Sequence, residues 1–280
     1  MDFPSQWLLV ARWALAATVI LTLLYRARLK ASWPWVFREV TLVTACYLLY
    51  FFVRGITAGD EAAALANADK LVDLEKNLGL FQEDQVQSLI VDHGWSITLA
   101  NWTYVWGHWP FILIVACWLL LNHPHAYAIT RNGFLLSGAV GLVIFAIFPV
   151  APPRLMELGL ADTVTEHSHA YRVLQPPAFV NQFAAMPSLH FGWNLLIGIT
   201  MVRLARGPVR LLGIITPAAM LFGIVATANH FFIDALAGGA ICLAALLAVE
   251  IWDRHRSNWF RFPQTGLRRR VFNDRRSASS

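Results

Sequence analysis

Long runs of apolar residues constrain this chain more than any other feature of its sequence. Seven runs approach the length of about 17–25 residues that an α-helix needs to cross roughly 30 Å of hydrocarbon. They cover residues 7–25, 35–53, 97–121, 133–150, 189–204, 209–227 and 232–252. The sequence therefore predicts an all-α fold, a polytopic bundle of helices integral to a membrane.

The number of spans depends on the fifth and sixth runs, which are short and are joined by a tight loop at residues 206–208. We expect about seven transmembrane helices, and the alternative is six, with one run lying along the membrane surface. The composition agrees, because 57% hydrophobic and 14% charged residues do not suit a soluble domain. The first run is expected to be a retained anchor, since its basic cluster follows it, the reverse of the order in a signal peptide.

The distribution of charge predicts which side of the membrane each loop faces. Cytoplasmic loops carry an excess of Lys and Arg. In a seven-helix arrangement the basic residues fall on one side: Arg26, Arg28, Lys30, Arg38, Arg131, Arg203, Arg206, Arg210 and the arginines of the tail. The acidic loop between the second and third runs then faces outside. We attribute the net charge of +5 to this topology and to contact with anionic lipid, and we expect no nucleic-acid partner.

These patterns divide the chain into four parts. Residues 1–57 form two transmembrane helices, 58–95 an outer amphipathic segment, 96–252 the transmembrane bundle with the candidate catalytic residues, and 253–280 a basic cytoplasmic tail expected to be disordered. In the outer segment, Ala66, Leu71, Leu74 and Leu78 recur near one helical face, and Gly79 provides a stop. The pattern predicts an amphipathic helix in the membrane interface, or a lid that packs on the bundle.

The cysteines and histidines outside the main motifs do not favour a metal site. Cys46, Cys117 and Cys242 all lie within predicted spans, and an odd number of such cysteines suits neither a disulfide framework nor a zinc cluster. His167 and His169 have no third ligand at a useful spacing. We therefore expect no metal and no cofactor.

Polar residues at membrane depth are functional candidates, because leaving them unpaired in lipid costs several kcal/mol. They occur at four places, which the predicted topology puts at the outer leaflet: His190, His230 with Asp234, Arg154, and Tyr104 with His108. Residues four apart lie on one helical face, so Asp234 can accept a hydrogen bond from one ring nitrogen of His230. The other nitrogen then presents its lone pair. A buried ion pair without a catalytic role is the alternative for this pair.

Two histidines, an aspartate and an arginine without a metal suit phosphoryl transfer through a phosphohistidine. One imidazole attacks phosphorus, the carboxylate stabilises the imidazolium that forms, and the other imidazole protonates the leaving oxygen. Cationic side chains and the amides of a helix N-terminus hold the phosphate oxygens. ProSerLeuHis at residues 187–190 offers such amides, with Ser188 as the helix cap or a phosphate donor.

The motifs resemble those of the type 2 phosphatidic acid phosphatase superfamily. ProSerLeuHis at 187–190 is followed, about forty residues on, by a HisxxxAsp motif at 230–234. The resemblance implies a helical membrane bundle with its site at one face. It also implies that His190 is the general acid, that His230 is the nucleophile and that Asp234 orients His230.

Two motifs depart from the pattern of that superfamily. Arg154 is followed by leucine instead of proline, and Ile147 occupies the position of a lysine in the first motif. Gly223 and Ile224 occupy the positions of a SerArg pair. The candidates for binding the substrate phosphate are therefore Arg154, Ser188, Asn229, Arg172, Thr227, Tyr104 and His108.

Four segments resemble the inositol phosphorylceramide synthase-like branch: 74–83 in the outer loop, 149–154, 185–190 and 227–230. The resemblance implies a lipid phosphatase or head-group phosphotransferase, with water or an alcohol as the acceptor. Its substrate would be a phospholipid or an isoprenoid- or inositol-type lipid phosphate. We expect a multi-pass protein of the bacterial plasma membrane with its active site on the outer face. The alternative is a transporter or structural membrane protein that uses the polar cluster as an ion site.

Overall fold

A computed structural model describes residues 33–57, 59–167 and 181–255, and this part of the chain is built from helices without a strand. The helices are α1 (Trp33–Ile56), α2 (Glu61–Leu78), α3 (Glu83–Val91), α4 (Gly94–Trp106), α5 (Trp109–Asn122), α6 (Pro124–Ile147), α7 (Thr163–His167), α8 (Leu189–Leu204), α9 (Val209–Ala226) and α10 (Phe232–His255). A short 3-10 turn at Pro153–Leu155 lies between α6 and α7. The all-α prediction is confirmed for these residues.

Four of the described helices are long and apolar enough to cross a membrane: α1, α6, α9 and α10. Helices α4 and α5 together make a fifth candidate, bent by 45° at the break around His108. Helix α8 is apolar but has only 16 residues. The first predicted run and the basic tail beyond His255 lie outside the described residues, so the count of seven stays a prediction.

One boundary prediction is wrong in a way that affects the packing. The fourth run was expected to begin at residue 133, with Arg131 in the preceding connection, but α6 already begins at Pro124. Arg131 is 8% exposed, and its guanidinium pairs with Glu39 of α1, which is 2% exposed. A charged side chain is tolerated at this depth because an opposite charge from a neighbouring helix compensates it.

The outer helix α2 ends at the predicted residue, and a capping residue fixes its start. Asp60 caps its first turn by accepting a hydrogen bond from the Ala62 backbone N–H at 3.3 Å. Gly79 ends it with a positive φ of 68°, a conformation that glycine adopts without strain. The helix is tied to the bundle by two hydrogen bonds to residues 149–151, from the Asn67 side-chain amide to the Pro149 carbonyl and from the Ala151 N–H to the Ala64 carbonyl.

The face of α2 that packs on the bundle is not its predicted apolar face, except at Leu71. Leu74 and Leu78 are 42% and 58% exposed, and Ala66 is exposed as well. The buried positions are Ala64, Ala68, Leu71, Val72 and Glu75. Alanines allow the helix to approach the bundle closely, and Glu75 is accommodated because its carboxyl group accepts a backbone hydrogen bond from Ile233. The helix thus packs on the bundle, and its placement in a membrane interface stays a prediction.

Helices α8 and α10 approach each other so closely that only glycine fits at the contact. A Cβ atom on Gly238 would lie 2.1 Å from the Ser188 carbonyl oxygen, and one on Gly192 would lie 2.5 Å from the Gly238 carbonyl oxygen. At this separation the Ser188 N–H donates to the Asp234 carbonyl at 2.9 Å. The contact therefore places the start of α8 beside the start of α10.

We expect Gly238→Ala to force α8 and α10 apart, since the added methyl group meets backbone that cannot rotate away. The expected loss of stability is about 3 kcal/mol, seen as a lower thermal unfolding midpoint of the purified protein in detergent. Gly239→Ala is the matched control, because its methyl group would meet side chains instead of backbone, the Phe191 ring at 3.1 Å and Leu195 Cδ2 at 3.4 Å. Equal effects of the two substitutions on the midpoint would contradict this account of the contact.

Candidate active site

A cavity between α1, α4, α5, α8 and the start of α10 brings together most of the polar residues singled out in the sequence. Its polar lining includes Arg54, Tyr104, His108, Arg154, His190 and His230. These residues come from segments up to 176 positions apart, from Arg54 to His230. The fold therefore gathers three histidines and two arginines around one space.

A tight turn aims His230 into this cavity. Helix α9 ends at Ala226, and the N–H groups of Asn229 and His230 both donate to the Ile224 carbonyl, at 3.0 and 3.1 Å. This reversal requires a left-handed residue, and Ala228 takes that conformation with φ 53°. Such a conformation is strained for alanine and persists only where surrounding contacts hold it. The Ala228 carbonyl is in turn held by the Arg154 N–H at 3.0 Å.

The ring of His230 is oriented by a backbone carbonyl. Its Nδ1 lies 2.8 Å from the Ala185 carbonyl oxygen, which can only accept a hydrogen bond. Nδ1 therefore carries the proton, and Nε2 presents its lone pair. The Ala185 segment is itself fixed, since the Val150 N–H donates to the Phe183 carbonyl at 2.8 Å and the Ala185 N–H to the Val150 carbonyl at 3.2 Å.

Asp234 contacts the same ring but does not hold it in the way the sequence suggested. Its Oδ2 lies 3.5 Å from His230 Nδ1 and accepts a hydrogen bond from the Phe231 N–H at 2.9 Å. The difference arises because His230 precedes α10 instead of lying on one of its faces. Asp234 is 0% exposed, so its negative charge acts on the ring through little solvent.

His190 lies in the first turn of α8, on the wall of the cavity opposite His230. Ser188 caps α8 by accepting a hydrogen bond from the Phe191 N–H at 3.4 Å. The His190 ring stacks on Tyr104 with 4.5 Å between ring centroids, and it lies 4.2 Å from His108. Its centroid is 5.7 Å from that of His230. The two motif histidines thus face each other, with Tyr104 and His108 supporting His190.

Arg154 reaches the cavity from the 3-10 turn. Its Nη1 donates to Asn229 Oδ1 at 2.7 Å, and its Nε lies 3.2 Å from Asp162 Oδ2. Asn229 also lines the cavity and donates through Nδ2 to Thr227 Oγ1 at 2.8 Å. The guanidinium is therefore anchored by two neighbours before any ligand is present.

The remaining predicted phosphate ligands divide into two groups. Ser188 and Thr227 are both 0% exposed and lie behind the cavity, the first as the cap of α8 and the second as a support for Asn229. Arg172 and His169 lie outside the described residues. In the part of the chain that the structure describes, no group of three or more His, Cys, Asp or Glu side chains could hold a metal ion.

Three polar groups at the site were not predicted from the sequence. Arg54 is a lone charge near the end of an apolar run, so the rule that singled out the motif histidines applies to it as well. Asn181, whose Nδ2 donates to the Thr57 carbonyl at 3.1 Å, lines the cavity without a recognisable motif. The Ala185 carbonyl is a backbone group, and side-chain patterns cannot indicate its role.

Two carboxyl groups of the outer helices bind the start of α10. Glu75 Oε1 accepts a hydrogen bond from the Ile233 N–H at 2.6 Å, and Glu83 Oε1 from the Phe232 N–H at 3.2 Å. Both glutamates are 0% exposed. Burial, and after it the neighbouring Glu83 carboxyl group, raise the pKa of Glu75 well above that of an ordinary glutamate. The outer segment thus holds the HisxxxAsp motif in place at a helix N-terminus, which favours acceptors of this kind.

Comparison with known families agrees with the motifs and the helical bundle. A family model described as the PAP2 superfamily matches residues 69–248, well over half of the chain. The match includes the cavity residues from Tyr104 to His230 together with Glu75 and Glu83. Comparisons with curated proteins and with solved structures found no match. On the family match, the chain belongs to the PAP2 superfamily.

Proposed function

We propose that the protein is a membrane enzyme that transfers the phosphoryl group of a lipid phosphate through a phosphohistidine on His230. Membership of the PAP2 superfamily suggests a phosphatase or phosphotransferase of this general kind. The single observation that carries the proposal is the 2.8 Å contact between His230 Nδ1 and the Ala185 carbonyl. It leaves Nε2 with a free lone pair in a cavity that also contains His190 and Arg154.

In the first step, Nε2 of His230 attacks phosphorus and the bond from phosphorus to the lipid oxygen breaks. Protonated His190 donates its proton to that leaving oxygen. The negative charge of Asp234 stabilises the His230 ring, which becomes positively charged when the nitrogen–phosphorus bond forms. In the second step, neutral His190 accepts a proton from water or an alcohol, whose oxygen attacks phosphorus. The nitrogen–phosphorus bond breaks, and its electron pair returns to Nε2.

Arg154 is suited to hold the phosphate oxygens during both steps. A guanidinium has five N–H donors, and the contacts to Asn229 and Asp162 occupy two of them. The others can fork onto an oxyanion. Because the anchoring contacts fix the group in advance, it need not reorganise when charge develops on the phosphate. Tyr104 and His108 support His190, and we assign them to the wall of the phosphate site.

The substrate and the acceptor are the finer part of the proposal. The motifs at 74–83, 149–154, 185–190 and 227–230 support the inositol phosphorylceramide synthase-like branch, in which an alcohol would accept the group. The charge distribution of the loops supports a site on the outer face of the bacterial plasma membrane. A lipid at this site would place its head group in the cavity and leave its chains in the bilayer.

The proposed function is tested with the purified protein and a panel of lipid phosphates, by measuring both release of inorganic phosphate and exchange of head groups. We expect one of the two activities, insensitive to chelators and inhibited by vanadate, which mimics five-coordinate phosphorus. The absence of both activities across a broad panel would contradict the proposal. So would a substrate flux in proteoliposomes that survives His230→Ala.

A substitution of His190 separates its role from that of His230. An aryl phosphate has a leaving group that departs as an anion, so the first step needs no proton donor. We expect His190→Ala to be phosphorylated by an aryl phosphate but to release phosphate slowly, by about 10²–10⁴-fold. Acid-labile label should then accumulate on the protein, whereas an alkyl lipid phosphate should barely react.

The matched control for that experiment is His125→Ala. His125 is 68% exposed and pairs with Asp253 at the other end of the bundle, so its loss should leave both substrates unaffected. Normal turnover of both substrate types by His190→Ala would show that ProSerLeuHis acts only as the capped start of a helix.

A further inference from the structure

Arg54 is a charged residue of the cavity for which the described part of the chain provides no counter-ion. It lies near the end of α1 and lines the cavity together with His190 and His230. Its Nε is buried and has no hydrogen-bond partner. Within the described residues no carboxylate forms an ion pair with it, in contrast to Arg154, whose Nε lies 3.2 Å from Asp162.

A half-buried cation whose Nε is unpaired and which has no counter-ion is unfavourable. At membrane depth an uncompensated arginine costs several kcal/mol, and Tyr50 and Phe51 beside it on α1 offer no negative charge. An anionic ligand in the cavity would remove this cost. The lone charge therefore indicates a ligand that carries negative charge to this wall.

In the phosphatases that this chain resembles, the lysine of the first motif and the arginine of the SerArg pair supply cations. The corresponding positions of this chain do not. Ile147, at the lysine position of the first motif, is 74% exposed on the outside of the bundle. Gly223 and Ile224 occupy the SerArg positions. Gly223 packs so closely on α4 that a Cβ atom there would lie 3.2 Å from the Thr103 side chain, and Ile224 is 0% exposed. In the described part of the chain, the charged side chains that line the cavity besides its histidines are Arg54 and Arg154.

We propose that Arg54 is a second phosphate-binding residue. It holds substrate oxygens from the side of α1, while Arg154 holds them from the 3-10 turn at Pro153–Leu155. This inference rests on the proposed function, since it takes the phosphate of the substrate as the natural anion of the cavity. Asp162 compensates the charge of Arg154, so Arg54 supplies the net positive charge that the phosphate meets. Helix α1 lies before the matched residues 69–248, so the match to the superfamily does not include this residue.

The inference is tested by reversible binding of inorganic phosphate and of orthovanadate to the full-length protein in detergent. Thermal unfolding is measured with and without each anion for the wild type, Arg54→Gln, Arg54→Lys and Arg38→Gln. Arg38 is the matched control, because it lies at the other end of the same helix with a side chain that is 69% exposed. A ligand that binds the folded state raises the unfolding midpoint.

We expect phosphate to raise the midpoint of the wild type and of Arg38→Gln. Arg54→Gln should lose this shift and bind phosphate at least about tenfold more weakly, a typical loss for one charge-assisted contact. Arg54→Lys should recover only part of the affinity. It restores the positive charge, but an ammonium group cannot fork onto two oxygens as a guanidinium does. Without anions, Arg54→Gln should unfold at the same temperature as the wild type or higher, since an uncompensated, half-buried charge is removed.

Two results would overturn the inference. One is a lower midpoint for Arg54→Gln without anions together with an unchanged phosphate shift, which would make Arg54 a structural residue. The other is the absence of any phosphate or vanadate shift in the wild type. Neither result decides the proposed function, which is measured separately by turnover of lipid phosphates.

The variant His230→Ala separates the two proposals further. It should still bind phosphate in a manner that depends on Arg54, because reversible binding needs no phosphohistidine. If binding depends on Arg54 while no lipid phosphate is turned over by the wild type, the proposed function fails and the anion site stands. If Arg54→Gln keeps both normal phosphate binding and normal turnover, the anion site fails and the function stands.

Discussion

The close contact between α8 and α10 determines the rest of the site. Gly192 and Gly238 allow the two backbones to touch, and the Ser188 N–H bonds the Asp234 carbonyl. Because each helix begins at this contact, the residues next to the two helix starts, His190 and His230, come to face each other. A larger residue at Gly238 would separate the motifs without changing either histidine.

The second requirement is that His230 points in one direction before any substrate arrives. A strained turn at Ala228 brings the residue out of the line of α9, and the Ala185 carbonyl fixes its ring. Glu75 and Glu83 hold the first N–H groups of α10 from the outside. The orientation of the ring therefore depends on the adjacent turn at Ala228 and on contacts from Ala185, Glu75 and Glu83, which are distant in sequence, and a change in any of them would disturb the ring.

Much of the architecture could be predicted from the sequence, because hydrophobic length and helix-capping chemistry are local properties. The apolar runs indicated the helices, Gly79 indicated the end of α2, and the predicted topology put the two motifs at the same leaflet. The buried face of α2 could not be predicted from hydrophobicity, since it is formed by alanines and a glutamate whose partner is a backbone N–H 158 residues away. Arg131 was misplaced because its partner, Glu39, lies on another helix.

The site was predictable where side chains form a motif and unpredictable where the backbone or a lone residue acts. ProSerLeuHis, HisxxxAsp and Arg154 have patterns that can be recognised in one sequence. The carbonyl of Ala185 has none, and Arg54 becomes notable only when the fold shows that no carboxylate reaches it. In this chain, tertiary packing decides which nitrogen of His230 is free.

The central claim, that the Ala185 carbonyl leaves Nε2 of His230 as the nucleophile, is tested most directly by locating the phosphoryl group on the protein. The protein is incubated with an aryl phosphate and quenched in alkali, where phosphohistidine survives, and the labelled peptide is analysed by mass spectrometry and by ³¹P NMR. The account predicts a phosphoryl group on Nε2 of His230 and none on the His230→Ala variant. Phosphorylation at Nδ1, or on any other residue of the wild type, would contradict it.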